Sequence, residues 1–344
     1  MRTALRAMLV VAVLVVAAAA WLVWQGFRSL DEPLTVASVV RFKVMPGTNF
    51  SRVAADLHTQ GILPGPRAWV WYARSEGYAA AIKAGEYAVM PGMTPRELLG
   101  KMLRGEVVFY SFTIIDGWRV RDLLDALRRN PDLVKTLPDR PADLMQRLGY
   151  TAGDPEGQFL AETYRFESGA TDIEILQRSH VAMLHELQSA WQDHDPAIPL
   201  KSVDELLTLA SIVEKETAVP AELAKVAGLY LHRLAIGMRL QADPTVIYGL
   251  GDRYDGDLHT VDLRADGPYN SYTRTGLPPT PIALPGAAAI RASAHPEQTD
   301  ALYFVASDKD DGSHVFSATL PQQNAAVARY VAHQRAKAAQ ARAP

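Results

Sequence analysis

Apolar positions along this chain fall into three patterns: an unbroken run, a repeated short motif, and long helical stripes. From Met8 to Trp24 the run is continuous and uncharged, with Arg2 and Arg6 before it and Gln25 and Arg28 after it. Seventeen residues at about 1.5 Å each reach roughly 26 Å, enough for a thin bilayer core. Trp21 and Trp24 stand where an aromatic belt would hold the outer end. A retained transmembrane anchor over 8–24 is therefore expected. The leading arginines favour a cytoplasmic segment 1–7 and place everything beyond Arg28 outside. The small residues Ala17 to Ala20 keep a cleaved signal peptide open as the rival.

The second pattern is an internal repeat. Met45-Pro46-Gly47-Thr48 and Met90-Pro91-Gly92-Met93-Thr94 each lead into an apolar helical stripe, and Ile115-Asp116-Gly117 begins a weaker third copy. In all three, apolar residues fall six and ten positions after the glycine: Val53 and Leu57, Leu98 and Met102, Leu123 and Leu127. That spacing puts both on one helical face. Each copy reads as strand, glycine turn and capped helix, with strands at 39–44, 87–90 and 107–115. Ser51 or Thr94 is expected at the N-cap, and Pro95 in the first helical position.

The third pattern is helical with a late β element. Residues 172–191 form an amphipathic helix, 204–217 an apolar helix ending in acidic residues, and 220–236 a further helix stopped by Gly237. Residues 268–285 hold five prolines in a loop too long to be a simple connection. Residues 303–306 and 314–317 flank a turn as a hairpin, and an Ala-rich helix closes the chain. The fold class is α+β, with an anchor (8–24), a linker (25–38), a small α/β subdomain (39–112), a mostly helical domain with a small β element (113–325) and a tail (326–344).

Composition removes several kinds of chemistry. The chain has no cysteine, a net charge of −3 from 35 basic and 38 acidic residues, and nine scattered histidines. Disulfides and thiol catalysis are excluded, and no basic footprint for nucleic acid appears. No His-Glu-x-x-His pair or glycine-rich phosphate loop is present, so no metal or cofactor is expected. The candidate chemistry lies in Leu206 to Thr217. A carboxyl at the end of an apolar helix is partly desolvated, so its pKa rises and it can act as a general acid near neutral pH. Glu214 and Glu216 both sit at the edge of the apolar face, and periodicity does not separate them.

Two resemblances add to this reading. The region around Val44-Met45-Pro46-Gly47-Thr48 resembles the LysM module, a strand-helix-helix-strand unit that binds N-acetylglucosamine chains. Trp69, Trp71, Tyr72 and Tyr87 could then stack on sugars, or be core instead. In the second half, five blocks occur in order: Ala210–Thr217, Gly237–Gly249, Tyr269–Thr273, Gly276–Ala283 and Ala294-His295-Pro296. Together they resemble the endolytic murein transglycosylase family (YceG-like).

The resemblance implies cleavage of the bond between N-acetylmuramic acid and N-acetylglucosamine in nascent peptidoglycan, leaving 1,6-anhydro ends. It also implies an inner-membrane location with a periplasmic catalytic domain, and peptidoglycan synthases as partners. Its Glu-Thr step selects Glu216 as the acid/base. Gln241, Asp243, Thr245, Tyr248, Asn270, Tyr272 and Thr273 become candidate substrate contacts, and Glu162 a cleft residue. Asp243-Pro244-Thr245 equally fits a helix start with Asp243 as N-cap. His232 stands where asparagine is common in the family, and no role passes to it. Two other readings remain: a membrane-tethered glycan-binding protein without catalysis, and a lysozyme-like hydrolase.

Overall fold

A computed structural model describes residues 2–151 and 153–341. The chain divides into two compact units, one holding residues 1–110 and 165–169 and the other 111–164 and 170–344. The division falls inside strands β3 (Phe109–Thr113) and β4 (Thr163–Glu167). Every copy of the repeated glycine turn is left-handed, with φ of 75° at Gly47, 84° at Gly92 and 76° at Gly117. Only glycine adopts that conformation without a steric penalty.

In the first unit, helix α1 (Arg2–Arg28) carries the apolar run. Residues 8–28 are long and apolar enough to cross a membrane, and none of that span is buried in the protein. Strand β1 (Val40–Val44), helices α2 (Phe50–Thr59) and α3 (Pro66–Ser75), strand β2 (Gly85–Val89) and helix α4 (Pro95–Arg104) follow. The strands pair antiparallel, from Val40 opposite Val89 to Val44 opposite Gly85. Thr94 caps α4 as expected, accepting from Glu97 N while Glu97 accepts from Thr94 N. At α2 the cap is Asn49, whose side chain accepts from Arg52 N at 2.9 Å, and Ser51 lies two residues further along, inside the helix. Trp69 and Tyr87 are fully buried, with Trp69 Nε1 donating to Pro95 O. They are core, and of the four aromatics considered for sugar stacking only Trp71 is largely exposed.

The second unit contains α5 (Val120–Arg129), α6 (Leu144–Arg147), α7 (Asp172–Gln192), α8 (Val203–Glu216), α9 (Leu223–Ala235), α10 (Asp243–Leu250), α11 (Thr260–Arg264), α12 (Ala287–Ala294) and α13 (Leu320–Ala341). Strands β5 (Tyr303–Ala306) and β6 (His314–Ser317) form the expected hairpin, with Tyr303 opposite Ser317. Helix α8 is buried on all sides from Leu206 to Val213, packed among α7, α9, α10 and α12. The proline-rich segment after α11 has no regular structure but is locked down: Ile282 N donates to Ser211 Oγ on α8.

One close approach tests this packing. A Cβ at Gly228 on α9 would lie 2.1 Å from the backbone oxygen of Glu297, whose own N–H donates to Ala224 O. Gly228→Ala must push that segment off α9. A loss of about 1–3 kcal/mol is expected from overpacking, read as a lowered midpoint in chemical denaturation.

Candidate active site

Helix α8 is capped by Ser202, whose hydroxyl accepts from Glu205 N. It ends at Glu216, after which Thr217 turns extended. Any carboxylate in its last turn faces the negative end of the helix dipole, which disfavours ionisation. Both candidate acids occupy that turn, but they meet different surroundings. Glu214 accepts from Gly286 N at 3.0 Å, tying it to the start of α12. Its pKa is raised, first by burial and further by the charge of Asp116.

Glu216 instead accepts from the Tyr230 hydroxyl at 2.5 Å. Its pKa is pushed up to about 7, chiefly by desolvation and also by the charge of Asp243; the Tyr230 hydrogen bond and the Arg233 charge oppose the rise. The residue nevertheless keeps partial surface exposure. The carboxyl itself is largely desolvated, which favours the neutral, proton-bearing form.

Helix α9 supplies the groups that hold it. Tyr230 is buried, edge-on to Phe304 at 6.3 Å, and its own pKa is driven well above the ordinary phenol value by burial, so it remains a donor. Arg233, one turn later on the same face, is buried too. It donates Nε to Leu302 O at 2.7 Å and Nη1 to Leu240 O. Its charge is therefore fixed in place near the carboxyl. Neither residue was singled out from the sequence, where each reads as one more position in an apolar helix.

The motif residues divide sharply. Asp243 lies in the first turn of α10, after Ala242 at the N-cap position, so it is not the cap. Its carboxylate accepts from the Tyr272 hydroxyl at 2.5 Å, and both side chains contribute to the electrostatics around Glu216 and Tyr230. Gln241 is exposed and holds a left-handed backbone (φ 50°), rare for a side chain other than Asn or Asp. Its N–H donates to Ser271 O.

Thr245 and Asn270 are spent internally rather than offered outward. Thr245, fully buried, bonds Ala242 O and Ser271 Oγ. Asn270 donates to the carbonyls of Asp262, Leu263 and Ala265 and accepts from Tyr272 N. Thr273 bonds Asp266 and the Asn270 carbonyl. These three side chains set the loop that carries Tyr272. Tyr248 lies further along α10 and donates to Glu156 at 3.3 Å. Glu162 is exposed and lines a separate open cavity with Tyr164, Gln177 and His185.

Known proteins share this chain's pattern. The family model described as YceG-like matches residues 42–329. The endolytic murein transglycosylase of Bacillus subtilis is 29% identical over 332 residues, covering 90% of each protein. That of Streptococcus pneumoniae serotype 2 is 26% identical over 327 residues, covering 83% of this chain and 57% of the longer relative. A solved structure, a putative YceG-like protein of Listeria monocytogenes, superposes with a TM-score of 0.52 at 26% identity, covering 84% of this chain and 99% of that one.

Proposed function

Since the chain belongs to the YceG-like family, we propose that it is an endolytic murein transglycosylase with Glu216 as its single acid and base. The neutral Glu216 carboxyl protonates the glycosidic oxygen between N-acetylmuramic acid and N-acetylglucosamine. The resulting carboxylate then accepts the proton of the muramyl C6 hydroxyl as that oxygen closes on C1. The C1–O4 bond breaks, the C1–O6 bond forms, and a 1,6-anhydro end results. A group that gives and then takes a proton works best with a pKa near the working pH. The observation that carries this reading is the Glu216 carboxyl itself, desolvated at the end of α8 and held by the Tyr230 hydroxyl, with its pKa pushed up to about 7.

The surrounding groups have separable tasks. Tyr230 orients the carboxyl and stabilises its charged form after proton transfer. Arg233 adds fixed positive charge that favours the same form. Asp243 and Tyr272, bonded to each other beside the acid, and the exposed Gln241 are the substrate contacts this reading favours. The apolar helix α1 serves as a single-pass anchor of the inner membrane, its leading arginines favouring a cytoplasmic N-terminus. In the first unit, the order β1-α2-α3-β2 supports a LysM-like module, with Trp71 as its exposed aromatic.

The rate on isolated glycan strands tests this reading. Because the free enzyme must carry a proton on Glu216, kcat/KM is expected to be flat on the acid side and to fall about tenfold per pH unit above about 7. Chromatography of the products is expected to show intermediate-length fragments before any disaccharide. Activity that rises through pH 7, or release of terminal disaccharides alone, contradicts it.

A further inference from the structure

Outside the Glu216 cluster, the second unit holds another buried carboxyl with an unusual cationic neighbour. Glu156 is 6% exposed, and both its oxygens are occupied: Oε1 accepts from Val120 N at 3.0 Å and Oε2 from the Tyr248 hydroxyl at 3.3 Å. Arg119 adjoins this group. Its guanidinium lies over the Tyr248 ring, 4.9 Å from the centroid, and is half-buried.

The guanidinium makes no hydrogen bond or ion pair with another described residue, in contrast to Arg121, two residues further along, which pairs with Asp252. Its nitrogens are not sealed off. Removing a guanidinium partly from water without giving its donors an acceptor is unfavourable. Burial accordingly lowers the pKa of Arg119, and burial raises that of Glu156 to about 7, so its charge offsets the cation only in part at neutral pH.

The position relative to the acid is set by two elements. Gly117, two residues before Arg119, receives a hydrogen bond from Lys215 Nζ at 3.1 Å, and Lys215 immediately precedes Glu216. Tyr248 lies on α10, whose first residue, Asp243, belongs to the acid cluster; five residues of helix span about 7.5 Å. Arg119 is thus tied to both elements that carry the acid cluster, through Gly117 to the end of α8 and through the Tyr248 ring to α10.

The sugars of the strand carry no charge of their own once the muramyl lactyl group is amide-linked. The peptide it bears does, as free carboxylates. A planar guanidinium backed by an aromatic ring is suited to bidentate recognition of such a group. Resting on the function proposed above, we infer that Arg119, seated on Tyr248, is a subsite for a free carboxylate of the peptide substituent, so that peptide-bearing muramyl residues are preferred at the cut.

The test compares native protein and Arg119→Gln on strands whose peptides carry free carboxylates and on the same strands with those peptide carboxylates converted to amides, which leaves the lactyl amide intact. The native chain is expected to favour the strands with free peptide carboxylates in kcat/KM by about tenfold or more, the worth of a hydrogen bond to a charged group. Arg119→Gln is expected to bring the ratio of the two values close to one. A native ratio of one, or a ratio that survives the substitution, overturns the inference. If Arg119→Gln does not fold, Arg119→Lys decides: it keeps a point charge but loses the planar fork, so its ratio should fall between one and the native value, and a full native ratio counts against the subsite. If the native chain cleaves neither polymer, it is the function that fails. Calorimetric titration of native protein and variant with a soluble muramyl peptide then reads the subsite alone, with tighter binding by the native chain expected and equal binding contradicting it.

Discussion

Glu216→Gln is expected to reduce strand cleavage about a thousandfold, the range set by loss of a positioned general acid, while leaving the fold intact. Glutamine has the same shape, and its amide oxygen can still accept from Tyr230. The same variant should be the more stable protein at neutral and alkaline pH. An ordinary glutamate ionises near 4.5, whereas folded Glu216 ionises near 7. The folded state therefore holds a proton that the unfolded chain releases, and stability is lost progressively as pH rises between those values. Below about pH 4.5 native and variant should match. Above pH 7 the variant should gain on the order of 3 kcal/mol. Thermal melts across pH, run beside rate measurements, check both halves. A variant that is inactive and also destabilised at pH 8 would point to a structural carboxylate.

Tyr230→Phe is the second large effect. The substitution keeps the ring against Phe304 and removes one hydrogen bond, the one on Glu216 Oε1. A hydrogen bond to a charged group is worth about 1.5–3 kcal/mol, so kcat/KM should fall roughly ten- to a hundredfold at its plateau. The hydrogen bond also lowers the Glu216 pKa. Its loss must raise that pKa, so the alkaline limb of the rate profile should move to higher pH. A lower plateau with an unmoved limb would mean that Tyr230 does not act through the Glu216 carboxyl.

What could be read from the sequence was local. The cap at Thr94, the stop at Gly237 and the hairpin at 303–317 depend on neighbours a few residues apart, and spacing and residue type sufficed. The acid helix was legible for the same reason, as an apolar stripe ending in carboxyls. Choosing between Glu214 and Glu216 was not, because the difference is tertiary: one meets Gly286 N of α12, the other the Tyr230 hydroxyl of α9. Tyr230 and Arg233 escaped notice because aromatic and long side chains suit a buried helix face without any chemistry. A buried tyrosine with a buried arginine three residues on, inside an apolar run, is the signal that was present.

Asn270 and Thr245 show what residue type alone leaves open. Their amide and hydroxyl suit acetamido sugars, but those same groups satisfy loop carbonyls, and a motif does not reveal which partner wins. Trp69 and Tyr87 were open between two roles for the same reason, since stacking on a sugar and filling a core draw on the same apolar surface, and burial places both in the core.

The central claim is that one carboxyl moves the proton twice and that the sugar's own C6 oxygen, not solvent, closes on C1. Digestion of peptidoglycan strands by the native protein in water enriched in oxygen-18, followed by mass spectrometry of the new muramyl ends, tests it most directly. Ends lighter than a free muramyl terminus by one water and carrying no label are predicted. Reducing ends bearing the heavy oxygen would contradict the account.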